Sequence, residues 1–449
     1  MSLKFIKKKT IIKTFGIFFL IWIIFKLLSN DDSINYDQVY TVLTSAVSRP
    51  AYDINCDAIF EMNPSEIQKS KELLKKLRDS NGNIKLLNDR NFIFDQKFCP
   101  LFRKIRQYDR FELKENSSFP IAYSIVAHKD TEQLERLLRL IYHPQNIYCI
   151  HIDSKSSSVF KESIKSIADC FDNVFITSRL ENVFYASFDR LQADLNCLND
   201  LFNFKKMINN HQNFINKKYV AWKYFMNLAS TEFPLRTSRE IKKILRVYNG
   251  SNEIEIIKKF SLARIMKKWV AKDNKLYPTN EKKGDPPHNF KIVKGYAYIV
   301  ISRKFAQYAL YDQKTKDLIE WSKDTWSPDE WFWSTLQYNT QHFPESGFKD
   351  IANKERIETL SRFAGWGGEY KCKGKWRHGV CVFSVEDLPE MVSRHHFVVN
   401  KFLLDFDPIS YQCMEKWYLQ RERIELPMSM FFYCNFLRDH LNNLNCHNM

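Results

Sequence analysis

The sequence predicts an α/β fold with a parallel sheet, because short apolar runs suited to buried strands alternate along the chain with segments of helical period. Ile121 to Ala127 (IAYSIVA) is the first such run, following a change of character at Phe119-Pro120. Thr131 to Tyr142 (TEQLERLLRLIY) spaces its leucines for one helical face behind a Thr cap. Ile147 to Ile152 (IYCIHI) is a second strand ending at Asp153, Val159 to Cys170 a helix, and Val174 to Thr177 a third strand. Ala186 to Phe202 reads as a long helix, and Tyr219 to Leu228 and Tyr296 to Ile301 as further strands. Lys258 to Lys283 is basic and irregular and is expected as a surface insertion. Ligands bind at the carboxyl ends of strands in such sheets, which selects His128 and Asp153 as early site candidates.

The segment before the sheet divides into three. Residues 1–13 carry Lys4, Lys7, Lys8, Lys9 and Lys13, and residues 14–28 open with an uncharged apolar stretch, Thr14 to Phe25. That stretch is short of the roughly 20 residues of a bilayer span, but snorkelling by Lys13 and Lys26 extends it. Positive charge before it and Asp31-Asp32 after it place the N-terminus in the cytosol, as in a type II signal anchor. A cleaved signal peptide is the alternative, and Ser29-Asn30-Asp31-Asp32 offers it no small-residue site. Residues 29–118 then form a polar, Lys/Glu-rich stem, with helical period from Pro64 to Arg78. The catalytic domain is expected over 119–430, with 431–449 as a C-terminal extension.

All ten cysteines lie beyond the anchor, and an even lumenal count fits an oxidising compartment. No C-x2-C pair supports a zinc site. Sequons at Asn116 and Asn249 agree with lumenal exposure. The formal net charge of +16 suits an anionic partner, but no nucleic-acid module accompanies the scattered lysines. An anionic small substrate such as a nucleotide sugar needs only a few of those charges.

Ser327-Pro328-Asp329-Glu330 stands within the aromatic-rich stretch Trp321 to Trp333. Pro and two acids fit the first turn of a capped helix. The same turn also reads as a carboxylate held among Trp326, Trp331 and Trp333, where an apolar setting lifts its pKa towards neutrality for general-base work.

Several long collinear stretches carry a resemblance: Pro120 to Lys129, Leu134 to Asp153, Tyr185 to Cys197, Phe233-Pro234-Leu235, Ser327 to Glu330 and Phe397 to Phe402. Together they resemble the core 2 β-1,6-N-acetylglucosaminyltransferase and I-branching family, across roughly Cys56 to Cys413. The resemblance implies a GT-A type nucleotide-sugar transferase fold, with a Rossmann-like sheet and flanking helices. It further implies a Golgi membrane location, inversion at the anomeric carbon, and no divalent metal or other cofactor. Glu330 matches the family's catalytic base. Asp153-Ser154-Lys155 stands where a metal-binding D-x-D would lie, with Lys in place of the second Asp. The only D-x-D, Asp405-Phe406-Asp407, is expected in a solvated loop.

By the same similarity Val126, Ala127, His128, Asp153, Ser154, Lys155 and Tyr185 line the UDP-sugar pocket. Lys401 matches the family's diphosphate-binding Lys, and either Arg377 or His378 stands for its Arg. Glu253 and Arg264 fall on acceptor-contacting positions, whereas Gly365-Trp366-Gly367-Gly368 replaces bulkier residues. The family disulfides carry over as Cys56 with Cys413, Cys99 with Cys170, Cys149 with Cys197 and Cys372 with Cys381, while Cys434 and Cys446 lie beyond the family's core and their pairing stays open.

The expected function is transfer of a sugar, GlcNAc by family default, in β-1,6 linkage onto an O-glycan such as core 1 Gal-GalNAc. The alternatives are a peptide O-xylosyltransferase-like enzyme and a catalytically silent, lectin-like membrane protein. The oligomeric state stays open.

Overall fold

Burial on both faces explains why the central strand, Ile121–Ala127, sits where it does. The computed structural model describes residues 36–49, 51–110, 118–210, 216–351, 353–424, 428–442 and 444–446. Strands β1 (Ile121–Ala127), β2 (Ile147–Ile152), β3 (Val174–Ile176) and β4 (Tyr224–Ala229) lie in the order β3-β2-β1-β4, all parallel. Val300–Ser302 adds to the β4 edge antiparallel, so the sheet is mixed. Ile121, Tyr123 and Ile125 face one core, shared with the helices Thr131–Ile141, Ser158–Asp169 and Ser238–Tyr248. Ala122 faces the other, shared with Phe188–Asn210, Arg303–Tyr311 and Phe332–Tyr338. A parallel sheet needs cover on both faces, and successive side chains of one strand serve both.

A third core surrounds a smaller sheet. There β5 (Glu232–Pro234) pairs antiparallel with Val398–Asn400, which pairs parallel with Arg362–Ala364. Phe233, Phe402, Tyr411 and Tyr418 pack edge-to-face within it.

Residues before the main sheet belong to the same packing. Val47, Phe92 and Phe102 are buried in the first core, and Arg49 reaches Glu132 at 2.7 Å. Five disulfides join Cys56–Cys413, Cys99–Cys170, Cys149–Cys197, Cys372–Cys381 and Cys434–Cys446. The helix Met430–Arg438 in the C-terminal extension buries Tyr433 and Leu437 in the first core.

Three local expectations change. Lys258 to Lys283 is not irregular. It contains the helix Ala263–Met266 and a hairpin, Lys267–Lys272 with Lys275–Lys282, turned by Asp273 and Asn274 at φ 50° and 57°. Two left-handed residues between paired strands make the turn that matches strand twist. Thr131 does not cap its helix: Asp130 occupies the cap position, and Thr131 Oγ1 lies 2.6 Å from Ser163 Oγ. Asp407 is not solvated but buried, accepting from Val385 N and Ser410 N.

The anchor expected at 14–28 and the sequon Asn116 lie outside the described residues. Among the described residues no helix is long and apolar enough to cross a membrane. Asn249 is exposed, at the C-cap of the helix Ser238–Tyr248.

Candidate active site

Pro328–Glu330 forms a short 3-10 turn entered through Ser327, whose left-handed backbone (φ 49°) lets its N–H donate to Ala186 O at 2.8 Å. That bond ties the acidic turn to the segment carrying Tyr185. The next helix, Phe332–Tyr338, sinks Trp331 and Trp333 into the core at 1% and 0% exposure. Both rings therefore point away from Glu330, contrary to the reading of a carboxylate enclosed by three tryptophans. The Glu330 carboxylate is part-exposed and charge-paired instead, with Arg264 and with Lys294 Nζ at 3.7 Å.

Asp329 takes the enclosed position. Burial, with the Glu330 carboxylate alongside, pushes its carboxyl up to about 7 against the pull of Arg190. Arg190 itself binds Asp194 at 2.7 Å, and Asp194 accepts from Ser124 on β1 and Asn227 on β4. The acidic turn thus rests on a buried polar network anchored in the main sheet.

A row of stacked groups leads from Glu330 to the strand ends. The Arg264 guanidinium lies 4.0 Å over the Trp326 ring, and Trp326 meets Tyr185 edge-on at 6.1 Å. The Tyr185 ring, 67% exposed, stacks on His378 at 5.4 Å. His378 and Gly379 turn the hairpin of Lys375–Arg377 with Val380–Val382, both at positive φ. This geometry separates the two candidates: His378 faces Tyr185, while Arg377 electrostatically perturbs Lys401 and His128. Lys401 Nζ donates to Arg377 O at 3.1 Å, and burial, helped by Arg377, lowers its ammonium to about 8.

At the end of β2, Asp153 is buried, and Lys155 returns to it with its N–H at 3.1 Å and its Nζ at 3.2 Å. Ser154 N donates to Glu181 O, and Asp153 N to Ala127 O. Val126 registers with His151 and Ala229 in the sheet. Burial and neighbouring Lys129 push His128 down, favouring the neutral ring. Val126, Ala127, His128, Asp153, Ser154 and Lys155 thus share one sheet end, as strand order requires.

Glu253 does not join them. Its side chain is buried, with Oε1 accepting from Leu360 N at 2.6 Å, and burial raises its pKa. Sequence reasoning passed over Lys294. Its signal is Gly295, where a Cβ would come within 2.1 Å of Ser334 Oγ and 2.2 Å of Glu255 O. Only glycine lets the 294–296 segment run so close to the helix behind Glu330, and Gly295 N donates to Glu330 O at 2.7 Å.

Residues 121–392 match the family described as Core-2/I-Branching enzyme. The chain is 39% identical to the human beta-1,3-galactosyl-O-glycosyl-glycoprotein beta-1,6-N-acetylglucosaminyltransferase 3, over 73% of this chain and 75% of that one. It is 36% identical to a human beta-1,3-galactosyl-O-glycosyl-glycoprotein beta-1,6-N-acetylglucosaminyltransferase, over 85% and 89% of the two chains. A Danio rerio relative named as number 4 of the same activity is 34% identical over 89% and 92%.

Proposed function

The chain belongs to the Core-2/I-branching enzyme family of glycosyltransferases, and from that premise we propose that Glu330 is the general base of an inverting transfer from a UDP-sugar. The acceptor is a hydroxyl of a protein-linked O-glycan and the new bond is β-1,6. GlcNAc is the donor sugar expected from the relatives' names. The observation that supports this reading is the row Glu330–Arg264–Trp326–Tyr185–His378, which joins the acidic turn to the hairpin that carries Arg377.

The acceptor oxygen attacks the anomeric carbon as Glu330 takes its proton. The bond from that carbon to the diphosphate oxygen breaks, and UDP leaves with the electron pair. Charge then grows on the diphosphate, and Lys401 with Arg377 is the cationic pair that would receive it. Metal independence is part of the proposal. Its support is the Lys155 ammonium on Asp153, which puts a fixed cation where other transferases hold a metal ligand.

The enzyme resides in the Golgi membrane with its catalytic part lumenal, on the strength of the anchor pattern and the five disulfides. The test is transfer from a panel of UDP-sugars, UDP-GlcNAc and UDP-Glc included, to a core 1 disaccharide in EDTA, with wild type and Glu330→Gln. Transfer in EDTA, abolished by the substitution, is expected. Undiminished transfer by Glu330→Gln overturns the base, loss in EDTA overturns the metal-free clamp, and UDP binding without turnover favours a silent, lectin-like protein.

A further inference from the structure

The lysine-rich hairpin, Lys267–Lys272 with Lys275–Lys282, forms a two-stranded sheet by itself, so each strand keeps an open edge. Side chains alternate across it. Trp269 takes the inward face: its ring lies 6.2 Å from Trp326, and Leu276 on that face is half-buried. Val270, Lys272, Lys275 and Tyr277 are left on the outward face, with Val270 opposite Tyr277 and Lys272 opposite Lys275.

The outward pattern is one that the fold does not need. Like charges directly opposite each other weaken a strand pair. This hairpin has two such pairs, Lys272 with Lys275 beside the turn and Lys267 with Lys282 at the root. None of these four lysines has an acidic partner among the described residues, and Glu281 is taken by Lys268 at 2.8 Å. Between the two pairs, Val270 and Tyr277 are 51% and 46% exposed. Lysine on an open edge discourages strand-to-strand aggregation, but an exposed valine and tyrosine beside it do the reverse. Unmatched cations around an uncovered apolar pair fit a face that an anionic partner completes.

The hairpin is also fixed to the candidate active site. Trp269 N donates to Asp324 O at 2.8 Å, Lys283 pairs with the Asp324 carboxylate, and Trp326 N donates to Arg264 O at 3.1 Å. At the turn, Asn182 Nδ2, three residues before Tyr185, donates to Asn274 Oδ1 at 3.4 Å. An occupant of the outward face is therefore held beside the Glu330 turn.

We propose that this face docks an acidic, extended segment of the acceptor's own polypeptide chain, close to the O-glycan being extended. The proposal rests on the transferase reading above and goes beyond it by giving the enzyme a preference among glycoproteins. Carboxylates of the segment pair with Lys272 and Lys275 at the turn and with Lys267 and Lys282 at the root. An apolar side chain between them lies on Val270 and Tyr277. Two residues along a strand span about 7 Å, so the fitting sequence places an acid two residues from an apolar side chain. A bilayer fits less well, because a flat lipid surface on this face would crowd the turn that must admit a glycan.

The test is equilibrium binding to the full-length protein in detergent, with UDP present and no sugar donor, read by fluorescence anisotropy. Two labelled glycopeptides serve as probes. Each carries core 1 Gal-GalNAc on one threonine and a nearby valine, with flanking glutamates in one probe and glutamines in the other. The glutamate probe binds roughly tenfold more tightly at low salt, and its advantage shrinks as salt screens it. That advantage disappears in Lys267→Gln/Lys272→Gln/Lys275→Gln/Lys282→Gln and persists in the matching set of Lys→Arg substitutions, which keeps the charge. All four side chains are exposed, so both variants keep the wild-type melting temperature and affinity for UDP. Equal binding of the two probes by wild type, or an undiminished preference in the Lys→Gln variant, overturns the proposal. Vesicles of phosphatidylserine and phosphatidylcholine are the control: if the Lys→Gln variant loses only vesicle binding, the face is a lipid-binding one and the proposal falls. Absence of transfer by the wild type would sink the transferase reading, while these affinities still decide the docking face.

Discussion

Replacing Glu232, Arg362 or both measures the buried ion pair beneath the site. Both side chains are 0% exposed and bond at 3.0 Å. Glu232 Oε2 also accepts from Ala229 N at 3.0 Å, and Arg362 donates to the carbonyls of Ser361 and Asn227. The pair thereby fastens the smaller sheet to the end of β4. Removing one partner strands the other charge in the interior, which costs about 3–5 kcal/mol. Burial raises the Glu232 pKa even with Arg362 pulling it down, so desolvation outweighs the attraction. The pair Glu232→Leu/Arg362→Met should therefore be far less damaging than its parts suggest. What remains is the unsatisfied Ala229 N–H and the freed carbonyls of Ser361 and Asn227, roughly 1–3 kcal/mol for each that no water reaches. Urea denaturation at pH 7, followed by tryptophan fluorescence, gives all four corners of the cycle. A single substitution costing under about 1 kcal/mol, or a double as costly as the two singles combined, refutes this reasoning.

Lys401, lowered to about 8, loses its charge as pH rises through that value. The basic limb of kcat/KM is expected near pH 8 in wild type and well above it in Lys401→Arg, and coincident profiles would remove Lys401 from the diphosphate site. Glu415 is the opposite case: burial pushes its carboxyl up, but Arg136 and Arg139 outweigh this and hold it at about 2. Its folded value lies below its unfolded one, so its stabilisation is complete above about pH 4.3 and is lost as pH falls through about 2. The stability difference between wild type and Glu415→Gln should narrow by roughly 1.5–2 kcal/mol between pH 6 and pH 3. An equal difference at both values refutes the assignment.

The alternation of strands and helices was legible because a strand covered on both faces is apolar throughout, as Ile147–Ile152 is. The acidic turn was legible as a motif, but its environment was not. Adjacent Asp329 and Glu330 differ in enclosure because a 3-10 turn sends consecutive side chains apart, and no residue spacing announces which goes inward. The lysine-rich hairpin hid for a related reason: both its strands are largely exposed, so the apolar half of the period is missing. Its Asp273-Asn274 turn was the available sign. A cavity of about 610 Å³ could not be read at all, since Glu255, Arg356, His396 and Phe432, which line it, converge from four separate stretches of chain.

The bridge between Cys56 and Cys413 spans 357 positions and encloses nearly everything described above. A protease cut at any exposed loop inside that span, the Asp273-Asn274 turn for instance, leaves two pieces that are still one covalent molecule. Only a cut upstream of Cys56 frees the folded body from whatever precedes it. The bond therefore confines release by one scission to the N-terminal side of Cys56, and since Val47 and Arg49 pack into the body, a cut that releases it whole falls before the helix Tyr36–Val47.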